Sequence, residues 1–366
     1  MLQRVDKTLL GIVLVLVIGG FFVFSSASLG LLAREGATFS SVAFNQVVFG
    51  IIGGLSAMLI VSQVHYRFWR RYAFYIFLFS VLLTSLVFVP DVGLSYGGAK
   101  RWISIAGFSL QPAEVLKVGL VIYLSTWLSG MQQYIKNTWK GTLPFFGIVS
   151  LVGVLMLAQP DTDTFLIMAA AALAMFLTAG GKWRDIGFVC LAVLVLILVL
   201  AAFRPYVKDR IMTFFDPSID PQGSSYQVRQ SLIAIGSGGL QGRGFGQSIQ
   251  KFEYLPEPIG DSVFAVFAEE FGFFGSAGLI LLLSFFTFRG YKIATHAVDQ
   301  FGTLLVVGIV TLVVVQAFLN IASMVALAPL GGLPLPFVSH GGTALLVTLA
   351  SVGIVLNVSK HRKKKI

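Results

Sequence analysis

Glu257, Asp261, Glu269 and Glu270 lie in one stretch, Glu253 to Gly272, that runs from a loop into an apolar segment. Pro256, Pro258 and Gly260 disfavour helix before Asp261. Val263 to Ala268 favours a helix or a buried strand. A carboxylate at that junction is either a helix N-cap, for which Asp is among the best residues, or a reactive group set at a membrane–water boundary. Asp261 and Glu269 are eight residues apart, about 12 Å along a helix axis. Two-carboxylate glycosidases use roughly 5–9.5 Å, so these two are not expected to act as such a pair.

Other charges sit where apolar residues would be expected. Glu114 and Lys117 are three apart at the start of an apolar run, a spacing that puts them on one helix face, where they can pair. Ionisable groups in a membrane pair with one another or line a polar cavity, and a cavity-facing role is the reading favoured for this pair. Lys100, Arg101 and Trp102 follow two glycines; they suit a headgroup anchor or a clamp on a phosphate. Asp161 and Asp163 flank a turn beside Pro160, and helix capping is the role expected of Asp163. The run Gly236 to Gly246 is rich in glycine, which permits either a tight turn or close approach to a ligand. The histidines are scattered without metal-ligand spacing. The single cysteine, Cys190, excludes an intrachain disulfide.

The elements that must hold these groups are membrane helices. Of 366 residues 56% are hydrophobic and only 11% charged, against roughly 25% charged in a soluble domain. The hydrophobic residues fall in runs near the ~20 residues that cross a bilayer as helix. The expected fold is an all-α polytopic membrane protein with ten transmembrane helices in one domain, residues 1–366. The spans are about 8–30, 42–64, 72–90, 112–130, 144–159, 162–180, 185–203, 263–288, 301–327 and 341–358. No cleavable signal peptide is expected, because the first run is long enough to remain as a span. Arg67, Arg70, Arg71, Lys136, Lys140, Lys182, Arg184, Arg289, Lys292 and the basic tail 359–366 share one side of that topology. By the positive-inside rule this side is cytoplasmic, with both termini. Segment 91–111, the loop 204–262 and the loop 328–340 then face outwards. In the long loop Arg204, Lys208, Arg210, Arg229, Arg243 and Lys251 are balanced by Asp209, Asp216, Asp220, Glu253, Glu257 and Asp261. It is therefore no arm for nucleic acid or another polyanion, despite a net charge of +10. Tyr226–Ile235 suits a short interfacial helix.

Several stretches together resemble the SEDS (shape, elongation, division, sporulation) family, whose members include FtsW and RodA. They are Gly98-Ala-Lys-Arg-Trp-Ile103, Phe108-Ser-Leu-Gln-Pro-Ala-Glu-Val-Leu-Lys117, Gln159-Pro-Asp161 and the run from Tyr226 to Gly239. They continue through Leu255-Pro-Glu257, Phe264-Ala-Val-Phe-Ala-Glu-Glu270, Asn320-Ile321 and Gly332 to Gly342. The segment from Tyr226 looks more like FtsW than RodA. The resemblance implies a bacterial peptidoglycan glycosyltransferase that polymerises lipid II at the outer face of the cytoplasmic membrane, with Asp261 matching the family's essential aspartate. The chain departs from the family at Ile259-Gly260, where a His-Thr pair is usual, and at His340, where Tyr is usual.

That chemistry suits the residues. A sugar that leaves on a lipid pyrophosphate departs as a stable anion, so one base for the acceptor hydroxyl suffices. In-line displacement would invert the anomeric carbon. Cations should steady the pyrophosphate; Lys117, Arg101, Arg210 and Arg243 are the candidates, with Glu114 beside Lys117. A divalent cation could share that role, although no metal motif demands one. Two other classes remain open: a lipid II flippase, and a scaffold that only recruits synthases. Neither needs a base at Asp261. A polymerase without a soluble domain must borrow its cross-linking activity, and the resemblance points to a class B penicillin-binding protein, alongside other divisome or elongasome membrane proteins. Gly302, Gly308, Ala317 and Ala322 in the ninth span, with the eighth, are expected to line its docking groove.

Overall fold

The computed structural model describes residues 5–30, 39–96, 99–105, 108–185, 187, 205–216, 224–252 and 254–361. Apolar runs become helices because a bilayer leaves a backbone no other partner for its polar groups. Helices α1 (Lys7–Ser28), α2 (Phe39–Phe44), α3 (Gly54–Gln63) and α4 (Arg67–Ser85) occupy the first three expected spans; a π-helical stretch, Asn45–Gly53, joins α2 to α3. They are followed by α5 (Pro112–Gly130), α6 (Leu143–Ala158) and α7 (Thr162–Thr178). Two shorter helices, α8 (Pro205–Phe215) and α9 (Ser224–Gly238), precede α10 (Val263–Thr295), α11 (Gln300–Met324) and α12 (Gly342–Lys360). Among the described residues seven helical segments are long and apolar enough to cross a membrane. The helices α5 and α7 occupy two further expected spans. The expected seventh span, 185–203, lies almost wholly outside the described residues, and so does the basic tail beyond His361.

Segment 91–111 adds what an all-helical expectation did not contain. It forms a three-stranded antiparallel sheet, β1 (Gly93–Tyr96), β2 (Ala99–Ile105) and β3 (Phe108–Leu110), with Ile103 of β2 opposite Gly93 on one side and Leu110 on the other.

At the centre of the bundle is α11, packed on α5, α7, α10 and α12. Its small residues permit that. A Cβ on Gly308 would lie 2.5 Å from Val121 and 2.6 Å from Met175, and Ala317 is fully buried. These residues therefore seal the bundle internally, contrary to the expected docking groove on the ninth span. Bulky apolar side chains instead point outwards from α4 and α10, among them Phe74, Phe79, Phe273 and Phe285, as a lipid-facing surface requires. The described ends meet: Ser359 Oγ accepts from the Asp6 amide (3.0 Å), and Asp6, the N-cap of α1, holds Arg289 through both carboxylate oxygens (2.7 and 2.9 Å).

Candidate active site

At the opposite end, the turn before α10 is pinned from two sides. Asn320 on α11 donates through Nδ2 to the carbonyls of Asp261 and Leu333, both at 2.7 Å. Ser339 Oγ donates to Gly260 O (2.7 Å), and the His340 amide donates to Ile259 O (2.7 Å). Gln227 Nε2 of α9 donates to Ser262 Oγ (2.9 Å). The N-cap position of α10 belongs to Ser262, not Asp261. These bonds hold the backbone of Gly260, Asp261 and Ile259 and the side chain of Ser262; among the described residues none fixes the Asp261 carboxylate. The bland reading of Asp261 as a cap is therefore excluded.

The carboxylate sits in a recess with other charged groups. The loop Gly331–Gly332 threads between them: a Cβ on Gly332 would lie 3.5 Å from Asp261 Oδ2 and 3.9 Å from Arg101 Nη1, and one on Gly331 would lie 3.2 Å from Asp163 Cγ. Asp163 Oδ2 accepts from Arg210 Nη1 of α8 (2.8 Å) and from the Gly332 amide (3.4 Å). Arg101, projecting from β2, donates to Pro160 O and stands 4.0 Å from Asp161. Asp161 is the residue that caps α7, accepting from the Thr164 amide at 3.3 Å. Capping, expected of Asp163, thus falls to Asp161. Position 161 has non-helical φ/ψ (−112°, 66°), as a cap does, whereas Asp163, already inside the first turn, turns its carboxylate to Arg210 and the Gly332 amide.

Burial, and then the nearby Glu257 and Asp163 carboxylates, push the Asp261 carboxyl up to about 7, against the pull of Arg210 and Arg101. Asp161 is also raised, chiefly by burial, with Arg101 opposing. Burial lowers His340. A carboxylate that shares its proton near neutrality, carries no hydrogen bond and remains partly open to solvent can accept a proton from a bound hydroxyl.

The other expected site residues divide. Glu114 and Lys117 are buried and paired at 2.8 Å on α5. Lys117 Nζ also donates to Gln316 Oε1 (2.7 Å), whose amide in turn donates to Pro334 O (2.9 Å). This chain of contacts reaches the 328–340 loop, and Glu114, Lys117 and Gln316 line a small cavity with Pro336, in keeping with the cavity-facing reading. Arg243 is elsewhere, 3.4 Å from Glu269, because the glycine-rich loop packs on α10. Asn320 was legible as a polar residue in an apolar span, but nothing local marked Asp163 or Gly332 as neighbours of Asp261.

A family model described as cell cycle protein, grouping FtsW, RodA and SpoVE, matches residues 6–364. The chain belongs to that family. It is 36% identical over 350 residues to the stage V sporulation protein E of Bacillus subtilis strain 168, covering 96% of this chain and 95% of that one. It is 37% identical over 318 residues to a probable peptidoglycan glycosyltransferase FtsW of Geobacter metallireducens, covering 87% and 84%. Among solved structures, a chain from the structural coordination of polymerization and crosslinking by a peptidoglycan synthase complex superposes with a TM-score of 0.80 at 28% identity, covering 99% of both chains. Thermus thermophilus rod shape determining protein RodA superposes at 0.71, also 28% identical, covering 99% of this chain and 98% of that one. The SEDS resemblance and its FtsW leaning agree with these relatives, and the chain is a multi-pass membrane protein.

Proposed function

We propose that this SEDS protein is a peptidoglycan glycosyltransferase that polymerises lipid II, with Asp261 as general base. The observation that carries the reading is the Asp261 recess: a carboxyl raised to about 7, free of capping duty, with Arg101 and Arg210 close enough to oppose that rise. In the step, Asp261 takes the proton of the acceptor hydroxyl as its oxygen attacks the donor's anomeric carbon. The bond from that carbon to the pyrophosphate breaks, and the electron pair leaves with the lipid pyrophosphate, inverting the centre. Arg101 and Arg210 would be the cations that meet that anion. Arg210 would share itself between the anion and Asp163. Lys117 acts one layer below, holding Gln316 and through it Pro334.

Among the described residues no three His, Cys, Asp or Glu side chains converge as a metal site. A divalent cation at Asp261 and Asp163 would therefore draw further ligands from the pyrophosphate itself. The likeness to a peptidoglycan synthase complex supports a class B penicillin-binding protein as partner, with other divisome or elongasome proteins around it. The bacterial cytoplasmic membrane is the site of action, with both termini on the cytoplasmic side, since the described ends lie together and opposite the recess.

Purified protein incubated with lipid II should make glycan polymer, and Asp261→Asn should not while still binding lipid II. Near-normal polymer from the Asn variant refutes the base assignment, whereas no polymer from the wild-type protein would favour the flippase and scaffold readings, neither of which uses this base.

A further inference from the structure

A continuous α10 would bond the amides of Phe273 and Phe274 to the carbonyls of Glu269 and Glu270. Instead the chain breaks at Gly272 (φ 64°, ψ −160°), and the glycine-rich loop after α9 takes up all four groups. Arg243 N donates to Glu269 O and Gly244 N to Glu270 O, both at 3.0 Å; Phe273 N donates to Gly239 O (2.9 Å) and Phe274 N to Leu240 O (3.2 Å). The loop is spliced into the helix, backbone for backbone. Such an approach requires glycine: a Cβ on Gly242 would strike Glu270 O, and one on Gly272 would strike Gly242 N. The expected alternatives for this loop therefore resolve to a tight turn against α10, not a ligand cradle.

Side chains lock the splice. Glu269 accepts from Ser248 Oγ (2.6 Å), Ser237 Oγ (3.2 Å) and the amides of Ile249 (3.2 Å) and Gln250 (3.3 Å). Glu270 accepts from Ser26 Oγ of α1 (2.6 Å) and pairs with Lys251 Nζ (2.8 Å). Lys251 Nζ also donates to Ser26 Oγ and to Gly246 O, both at 2.9 Å. Lys251 and Glu269 are 0% exposed. A buried ion pair is seldom the most stable choice; apolar side chains of similar volume usually serve as well or better. Its presence here calls for a geometric reason.

Among the described residues none of these side chains bonds to Asp261, so any effect on it runs through the helix. Asp261 lies eleven residues before Gly272, ~16 Å along a helix axis, so a 10° change of bend would carry it ~3 Å. We propose that Lys251, Glu269 and Glu270 are positioning residues for Asp261. By locking the loop into the break they set the angle of the segment Val263–Phe271, and they hold Asp261 against Arg101, Arg210 and Gly332 whatever the lipid-facing half of α10 does. This rests on the reading of Asp261 as the base.

The test removes both charges of the pair at once, as Lys251→Met with Glu270→Leu, so that no unpaired charge is left buried. Turnover of lipid II, thermal midpoint and amide exchange at residues 243, 244, 273 and 274 are measured together. The expected result is an unchanged midpoint, KM within about threefold and kcat lower by on the order of 10²-fold, with faster exchange at Phe273 and Phe274. Wild-type kcat despite faster exchange overturns the proposal, as does a kcat loss that merely follows a fallen midpoint. If the double variant does not accumulate, Ser248→Ala, which deletes the 2.6 Å bond to Glu269, carries the same test: a lower kcat at an unchanged midpoint supports positioning, and an unchanged kcat overturns it. Asp261→Asn in the same assay should be inactive with normal exchange at the splice. An active Asn variant would sink the base assignment alone.

Discussion

Asp261→Asn should make the protein more stable above neutral pH while silencing it. In the folded chain burial and two neighbouring carboxylates raise the Asp261 carboxyl to about 7; in the unfolded chain it titrates near its usual ~3.9. Between those values the folded state keeps a proton that the unfolded state has released. The stability conferred by that retained proton is complete below the unfolded value and is lost as pH rises through the folded one. Roughly three units at 1.36 kcal/mol each set a ceiling of about 4 kcal/mol at pH ~8. Solvent reaches part of this carboxylate, so about half of that is the realistic gain when Asn, which cannot ionise, replaces it. With an unfolding entropy of ~2.1 cal/mol/K per residue over 366 residues, such a gain raises the thermal midpoint by on the order of 2–3 °C. The two proteins should converge near pH 4. Midpoints of the purified proteins in one detergent, from about pH 4.5 to 8.5, measure the difference. Polymerisation by the variant should meanwhile fall ~10²–10⁴-fold. A variant that melts at or below the parent at pH ~8, or a difference that does not change with pH, would show that the carboxylate is not held out of its normal range.

The same environment makes wild-type polymerisation rise with pH through about 7, as the base ionises. Glu257→Gln removes a repelling charge and should move that profile to lower pH, and Arg210→Met should move it higher; a pH–rate series on kcat/KM reads both. Glu114→Ala should strand Lys117 in a buried site and cost about 3–5 kcal/mol, seen as lost expression. Exchanging the two charges should restore protein level but not activity, because the Lys117–Gln316 contact (2.7 Å) is then broken. Gly308→Leu should lower the thermal midpoint, by about 1–3 kcal/mol of stability, since it must displace Val121 and Met175. Weakened partner pull-down with an unchanged midpoint would instead restore the groove on the ninth span.

Composition and run length alone determined that this chain lies in a membrane and where most helices run, because backbone in hydrocarbon has few options. The helix break at Gly272 escaped them: the sequence Phe-Gly-Phe-Phe around it is compatible with helix, and only the competing carbonyls and amides of a loop some thirty residues earlier make the break favourable. Asp261 stood out by its place between Pro-rich turn and apolar run, and the Glu114–Lys117 pair followed from helical spacing. What surrounds Asp261 was set by tertiary structure. Asp163 comes from α7, Arg210 from α8, Arg101 from a small sheet and Gly332 from the loop before α12. Local propensity could offer either aspartate as the cap of α7; the choice of Asp161 follows from where Arg210 and Gly332 await the other carboxylate. Arg243, equally basic and equally outside the spans, is drawn away to Glu269. Residue types could nominate cations for an anion, but their selection depends on distances across the bundle, which arise only when the helices close around α11.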